Sequence, residues 1–158
     1  MTQTLLPVLQ KHPFVAELTP EHKARLAELA SEVHFDAGHI IFHEGDDYST
    51  FYLLTEGTVA LELQVPDQLL RVQTLFAGDE LGWSSVLSHS GMRFQARALT
   101  PVSALAFEGE QLLASFQADP TFGLALMLRL MGVVSERLRA TRVQLVDIYS
   151  TEARRAGT

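Results

Sequence analysis

The chain has no cysteine among its 158 residues, which removes disulfides, thiolate metal ligands and cysteine nucleophiles and fits a reducing interior. Positive charge is scarce as well. Twelve lysines and arginines stand against nineteen acidic residues, a formal net charge of −7. Such a chain lacks the cations that replace condensed counterions along a phosphate backbone, so non-specific attachment to nucleic acid is not expected. No apolar run approaches the roughly 20 residues needed to cross a bilayer. The N-terminal MTQTLLPVLQKHPF has neither the basic n-region nor the long apolar h-region of a secretory signal. The expectation is a soluble, cytoplasmic protein with no membrane partner.

What the chain does have is apolar content. Hydrophobic residues make up 47% of it, enough at this length for one domain with its own core and too little chain for two ordinary ones. Three textures follow one another. Residues 1–33 read as helices: Leu5, Leu6, Val8 and Leu9 precede Pro13, and a second segment opens at Thr19-Pro20-Glu21. Thr19 is suited to cap that helix and Pro20 to its first position, although His22 stands where a capping box has an acid. Residues 34–108 change to short β-branched and aromatic runs, including HIIFHEG, TFYLLTEG, TVALELQV and LLRVQTLF. Their length and spacing predict an antiparallel sandwich or jelly roll. Asp36-Ala37-Gly38, Gly45-Asp46-Asp47 and Glu56-Gly57 supply turn residues that tolerate positive φ. Residues 110–150 are helical again, broken at Asp119-Pro120. The fold class is therefore mainly β with flanking helices, as a single domain.

The last helix carries the most regular pattern in the chain. Leu124, Met127, Met131, Val134, Leu138, Thr141, Leu145 and Ile148 keep a 3-4 spacing without a break, the seam of a coiled coil. Leu126, Leu130 and Val133 form a second apolar stripe. Two stripes predict one face for the β-domain and one for the same helix of a partner, giving a two-fold homodimer. The bland alternative is a helix lying along its own β-domain. Thr141 is the one polar residue of the seam, suited to fixing register or touching a ligand.

The order of these features resembles the sensor half of the Crp/Fnr-type cyclic nucleotide-binding proteins, and the likeness covers nearly the whole chain. Gly38 matches the first hairpin, Glu44-Gly45-Asp46 the family's E-G-D, Phe51-Tyr52-Leu53-Leu54 its F-Y-hydrophobic segment, and Gly57 and Val59 its G-x-V. The resemblance implies a double-stranded β-helix jelly roll, short N-terminal helices, a phosphate-binding cassette with a short helix near 82–88, and a long C-terminal dimerisation helix. It also implies that the ligand is a cyclic nucleotide or another small anion.

The cassette falls in GDELGWSSVLSHSGMRFQAR, residues 78–97. Its chemistry needs a helix N-terminus that points backbone N–H groups at a phosphate, a guanidinium for charge-assisted bonds, and a carboxylate for the sugar hydroxyls. Gly82 to Val86 retain the first, and the Ser84 and Ser85 hydroxyls add donors. The family's arginine comes about ten residues after the glycine. That count falls on Met92, with Arg93 next and bulky Phe94 where a small residue belongs. Alternation sets Met92 and Arg93 on opposite strand faces. With exact spacing Arg93 points away from the pocket, and with one inserted residue it points in. Arg97, four residues on, shares its face.

Trp83, the chain's one tryptophan, stands where the family places the ribose-binding glutamate. An indole offers one donor and no acceptor, so it cannot receive a bond from a ribose hydroxyl. Loss of a charged acceptor costs about 1.5–3 kcal/mol, or one to two decades of affinity. Taking Glu80 as that acceptor instead would break the Gly78-Asp79…Gly82 match. Trp83 either plugs a vestigial pocket or stacks on a different ligand. The candidate ligand-binding residues are Gly82, Trp83, Ser84, Ser85, Met92, Arg93, Arg97 and Thr141.

Other chemistry is weaker. His39 and His43 on one strand would lie ~13 Å apart at ~3.3 Å per residue, too far to ligate one metal ion, so no metal site is expected. Gly82-Trp83-Ser84-Ser85-Val86 lacks the closing glycine of a nucleophile elbow. Asp46, Asp47 and Asp79 sit at turns, where carboxylates satisfy backbone N–H groups. No enzyme activity is expected. Only TEARRAGT follows Ser150, so no DNA-reading domain is expected either. Three functions compete. The first is a dimeric sensor with an altered ligand, acting through an unidentified protein partner. The others are a ligand-free scaffold or regulatory subunit plugged by Trp83, and an orthodox cAMP or cGMP sensor using Arg93.

Overall fold

The computed structural model describes residues 4–46, 49–84 and 94–156. The chain opens with α1 (Leu6–Gln10), a 3-10 turn (Pro13–Val15) and α2 (Pro20–Glu28). Thr19 caps α2 by accepting the His22 N–H at 3.2 Å, with Pro20 at the first helical position, as the sequence predicts. Eight strands follow: β1 (Ser31–Phe35), β2 (Ile40–Phe42), β3 (Thr50–Glu56), β4 (Thr58–Val65), β5 (Gln68–Phe76), β6 (Glu80–Leu81), β7 (Gln95–Ala98) and β8 (Val102–Glu108). β1 thus starts at Ser31, inside the stretch read as helical. Its pairing with β8, from Ser31 opposite Ala106 to Phe35 opposite Val102, takes over directly where α2 ends, and no local signal in the sequence marks that partner.

The strands form two four-stranded antiparallel sheets, ordered β1-β8-β3-β6 and β2-β7-β4-β5. This is the jelly-roll fold expected. Apart from the β4–β5 hairpin, consecutive strands alternate between sheets, so the corners carry the topology. β3 passes to β4 through Gly57 alone, at φ +92°, and a Cβ there would meet the Pro101 carbonyl oxygen and come within 2.9 Å of the Val102 Cα. Only glycine fits both the backbone and the space.

Between the sheets lie Tyr52, Leu54, Val59, Leu61, Leu75, Leu81, Ala96, Ala98, Val102, Ala104 and their neighbours. Alternation sends every second residue of β4 and β7 inward, which leaves Glu62, Gln95 and Arg97 on the opposite face. Phe14, Phe51 and Phe107 form a second apolar group with ring centroids 5.6 and 6.2 Å apart in sequence.

Two helices close the chain: α3 (Gly109–Ala118) and α4 (Pro120–Ala156). Asp119 accepts the Phe122 N–H at 3.2 Å, so the Asp-Pro that reads as a break is also the start signal of α4. α4 runs past Ser150, because TEARRA contains neither proline nor glycine to stop it. The chain separates into two compact units, 1–124 and 125–158. Along α4, Leu126, Leu130 and Val133 are buried, whereas Leu124, Met131, Leu138, Leu145 and Ile148 are 48–62% exposed. Met127 and Val134 are half-buried and Thr141 is exposed. No helix of the described residues is long and apolar enough to cross a membrane.

Candidate functional site

The second corner of the roll, between β5 and β6, leads into the cassette. Gly78 turns with φ +95°, and its N–H donates to the Leu54 carbonyl at 2.8 Å while Leu54 N–H donates to the Asp79 carbonyl at 2.9 Å. The Asp79 carboxylate accepts the Phe76 N–H at 2.8 Å, the turn-closing role expected of it. Asp46 does the same for His43 N–H at 2.8 Å. β6 then pairs with β3, Leu81 opposite Tyr52, and delivers the chain to Gly82.

Gly82 is buried with φ +82°, a conformation that requires glycine. Trp83 follows, half-buried in a turn, and Ser84, also half-buried, is helical. The chain itself brings these three together. Ser85, Met92 and Arg93, and the rest of the expected short helix near 82–88, lie outside the described residues.

Arg97 is placed on β7 with Ala96 and Ala98 directed into the core on either side of it. Its Nε donates to Glu62 Oε1 at 3.0 Å, and Gln95 Nε2 donates to the same oxygen at 3.0 Å. Glu62 is only 7% exposed. A buried carboxylate needs such donors, and Arg97 serves it on the face opposite the core. Sequence reasoning missed Glu62. Its one visible signal is an acid within TVALELQV at a position that alternation turns away from the core, but its partners are more than thirty residues distant.

Thr141 lies on the exposed part of α4, where its hydroxyl donates to the Arg137 carbonyl at 3.0 Å. That internal bond is one a helical threonine makes without any ligand. His39 stacks on Phe35 with centroids 5.5 Å apart and is exposed, as is His43. Among the described residues, no three histidine or acidic side chains gather as a metal site would require. His34 sits between Ser103 Oγ at 2.9 Å and Glu32 Oε1 at 3.1 Å. This serine-histidine-glutamate row lies on an open strand face with the His34 and Glu32 side chains 66% and 47% exposed, without the enclosure that makes such groups reactive. It is a cross-strand surface pair.

His12 was also silent in the sequence. It is 4% exposed, accepts the Phe14 N–H on Nδ1 at 3.1 Å and places Nε2 3.3 Å from the Asp79 carbonyl oxygen. Burial holds its pKa below the usual histidine value, against the opposing pull of the Asp79 and Leu54 carbonyls and the Asp79 charge. The ring is therefore neutral near pH 7.

Two antiparallel sheets rolled around one core, with a glycine-led corner at Gly82 and a long helix following in sequence, define a β-roll domain. The family model of the cyclic nucleotide-binding domain matches residues 32–119, more than half of the chain, and the chain belongs to that family, in its Crp/Fnr-type branch. A CRP-like cAMP-activated global transcriptional regulator of Mycobacterium tuberculosis is 25% identical over 134 residues, which cover 84% of this chain and 58% of that protein. The chain thus spans under two thirds of that relative's length. The N-terminal domain of a transcriptional regulator from Streptomyces coelicolor is 30% identical, with 87% of this chain and 93% of that one covered and a TM-score of 0.68. A cyclic nucleotide-binding domain from Methylobacillus flagellatus superposes with a TM-score of 0.80 over 90% of this chain and 81% of that one, and at 17% identity it shows the fold.

Proposed function

We propose that this chain is a cytoplasmic sensor domain that assembles as a homodimer through α4, reads a small anionic ligand other than an orthodox cyclic nucleotide, and signals through a protein partner. The observation that carries the reading is Gly82-Trp83. The positive φ of Gly82 and the β5–β6 corner before it support reading this turn as the entry of the cassette. The residue that follows is then an indole where the family places a carboxylate. The glycine that leads the family's anion-binding turn is kept, while the acceptor for a ribose hydroxyl is replaced by a group with none. Arg97 already serves Glu62, and Ala96 and Ala98 hold the inward positions beside it. Of the two arginines in the cassette stretch, Arg93 is therefore the candidate for the ligand's guanidinium partner.

The dimer rests on the exposed seam of α4. Leu124, Met131, Leu138, Leu145 and Ile148 repeat on one face and stay open to solvent in the single chain, and a matching copy of the same stripe is the partner a heptad pattern selects. The test of the ligand reading is calorimetric titration with cAMP and cGMP, for which no micromolar binding is expected. A micromolar Kd for either overturns the altered pocket.

One finding favours a second reading. The mycobacterial relative is cAMP-activated, so orthodox sensing with Arg93 as the phosphate ligand has a precedent in a 25% identical protein. The same titration separates the two readings, because orthodox binding would be present in the native chain and lost in Arg93→Ala.

A further inference from the structure

The N-terminal segment and the cassette meet at one buried ring. His12 lies between α1 and the 3-10 turn, and its own N–H donates to the Leu9 carbonyl at 2.9 Å. Because Nδ1 accepts the Phe14 N–H, it carries no proton, and the hydrogen of the neutral ring is on Nε2. Nε2 therefore donates to the Asp79 carbonyl at 3.3 Å. Pro13 packs beside it, its Cγ 3.6 Å from where a Gly78 Cβ would be. The His12-Pro13 pair thus covers Gly78-Asp79, and only Glu80-Leu81 separates that corner from Gly82-Trp83.

We propose that His12 is a positioning residue for the cassette: its neutral Nε2–H form latches the N-terminal segment onto the Gly78-Asp79 corner, and protonation at Nδ1 releases the latch, so that the setting of Trp83 follows pH through this one ring. The proposal rests on the reading of Gly82 to Ser84 as the cassette entry.

The reason is donor against donor. A doubly protonated ring directs an N–H at the Phe14 N–H in a site where His12 is only 4% exposed, and the opposed pair must separate. Among the groups facing the ring, the Asp79 carboxylate is the charged one. It favours the cation, but it already accepts the Phe76 N–H and is outweighed by burial. From β3 the Leu54 backbone faces the ring and favours the cation. The linkage has a definite sign. His12 has a lowered folded pKa, so below the ordinary histidine value of about 6.5 the released state binds more protons than the latched one. The latch weakens as pH falls through that window and is fully present above it.

Trp83 is the only tryptophan, so intrinsic fluorescence reads the cassette without a label. The experiment is a ligand-free titration of the full chain from about pH 8 to about pH 5, with far-UV circular dichroism as the check on folding. Native protein should show one reversible shift in emission. In His12→Gln the side-chain amide reaches the Asp79 carbonyl from the Nε2 position and does not titrate, so the emission should stay at the high-pH value throughout. In His12→Asn the amide can still serve Phe14 but falls short of Asp79, so the low-pH emission should appear at every pH. An unchanged transition in His12→Gln, or a native-like His12→Asn, overturns the proposal. Should either variant fail to fold, amide exchange of the native chain decides. Protection of the Leu54 and Gly78 N–H groups, corrected for intrinsic exchange, should fall by up to about tenfold per pH unit as pH drops from about 6.5 toward the lowered His12 pKa, and constant protection across that window overturns the latch. No nucleotide is present, so failure to bind one leaves these outcomes untouched, and a flat native titration sinks the latch without touching the ligand reading.

Discussion

The interior of the roll and the far part of α4 are built from the same residue types and reach opposite states. Leu53, Leu54, Val59 and Leu105 are 0% exposed between or behind sheets, while Leu138, Leu145 and Ile148 on the helix are 48–57% exposed. In the roll, each apolar side chain is covered by strands distant in sequence, and alternation decides which face it takes. On the helix, period decides the face, but one chain supplies nothing to cover it. Hydrophobicity alone therefore does not separate the core from an exposed stripe. The distinction lies in whether the same chain brings a second layer.

The largest expected effect is on the roll. Leu54→Ala removes a fully buried side chain next to the β5–β6 corner and should cost about 2–5 kcal/mol, measured by denaturant unfolding. A cost under about 1 kcal/mol would mean that this core is not packed as described. Next comes the helix, where Met131→Glu puts a charge on the seam. Light scattering at tens of micromolar should show a native dimer and a variant monomer, with roll stability nearly kept. A native monomer, or a variant that still assembles, would erase the contrast between the two regions. The smallest effect falls on the outer face of β4 and β7. Arg97→Met leaves Glu62 with Gln95 as its donor and should cost about 1–2 kcal/mol, below the usual figure for breaking a buried pair because the arginine side chain is one third exposed. Adding Glu62→Leu should recover part of that loss.

The parts of this fold legible in the sequence are those whose causes are local. Gly38, Gly45 and Gly57 all take positive φ where the turns were read, because few other residues tolerate it. Thr19-Pro20 starts α2, and the 3-4 repeat marks the exposed stripe of α4. What stayed hidden depends on partners far along the chain. Nothing near Ser31 announces that β8 will draw it into a strand. Glu62 reads as a solvated acid until β7 arrives with Gln95 and Arg97. His12 looks like one of six histidines until the β5–β6 corner closes on it. At the candidate site, the turn at Gly82 was legible because its positive φ favours glycine, whereas the orientation of Arg97 depends on which of its neighbours are alanines facing the core.

The single-residue corner at Gly57 also bears on how this protein can change length. With the Pro101 carbonyl against it and strands leaving in both directions, there is no slack for an added residue, so an insertion here would force a break in one of the two ladders. The Pro66-Asp67 turn joining β4 and β5 is exposed and ends its ladder in solvent. Length polymorphism, peptide tags and grafted loops belong there, where the strands can be extended without either sheet losing its register.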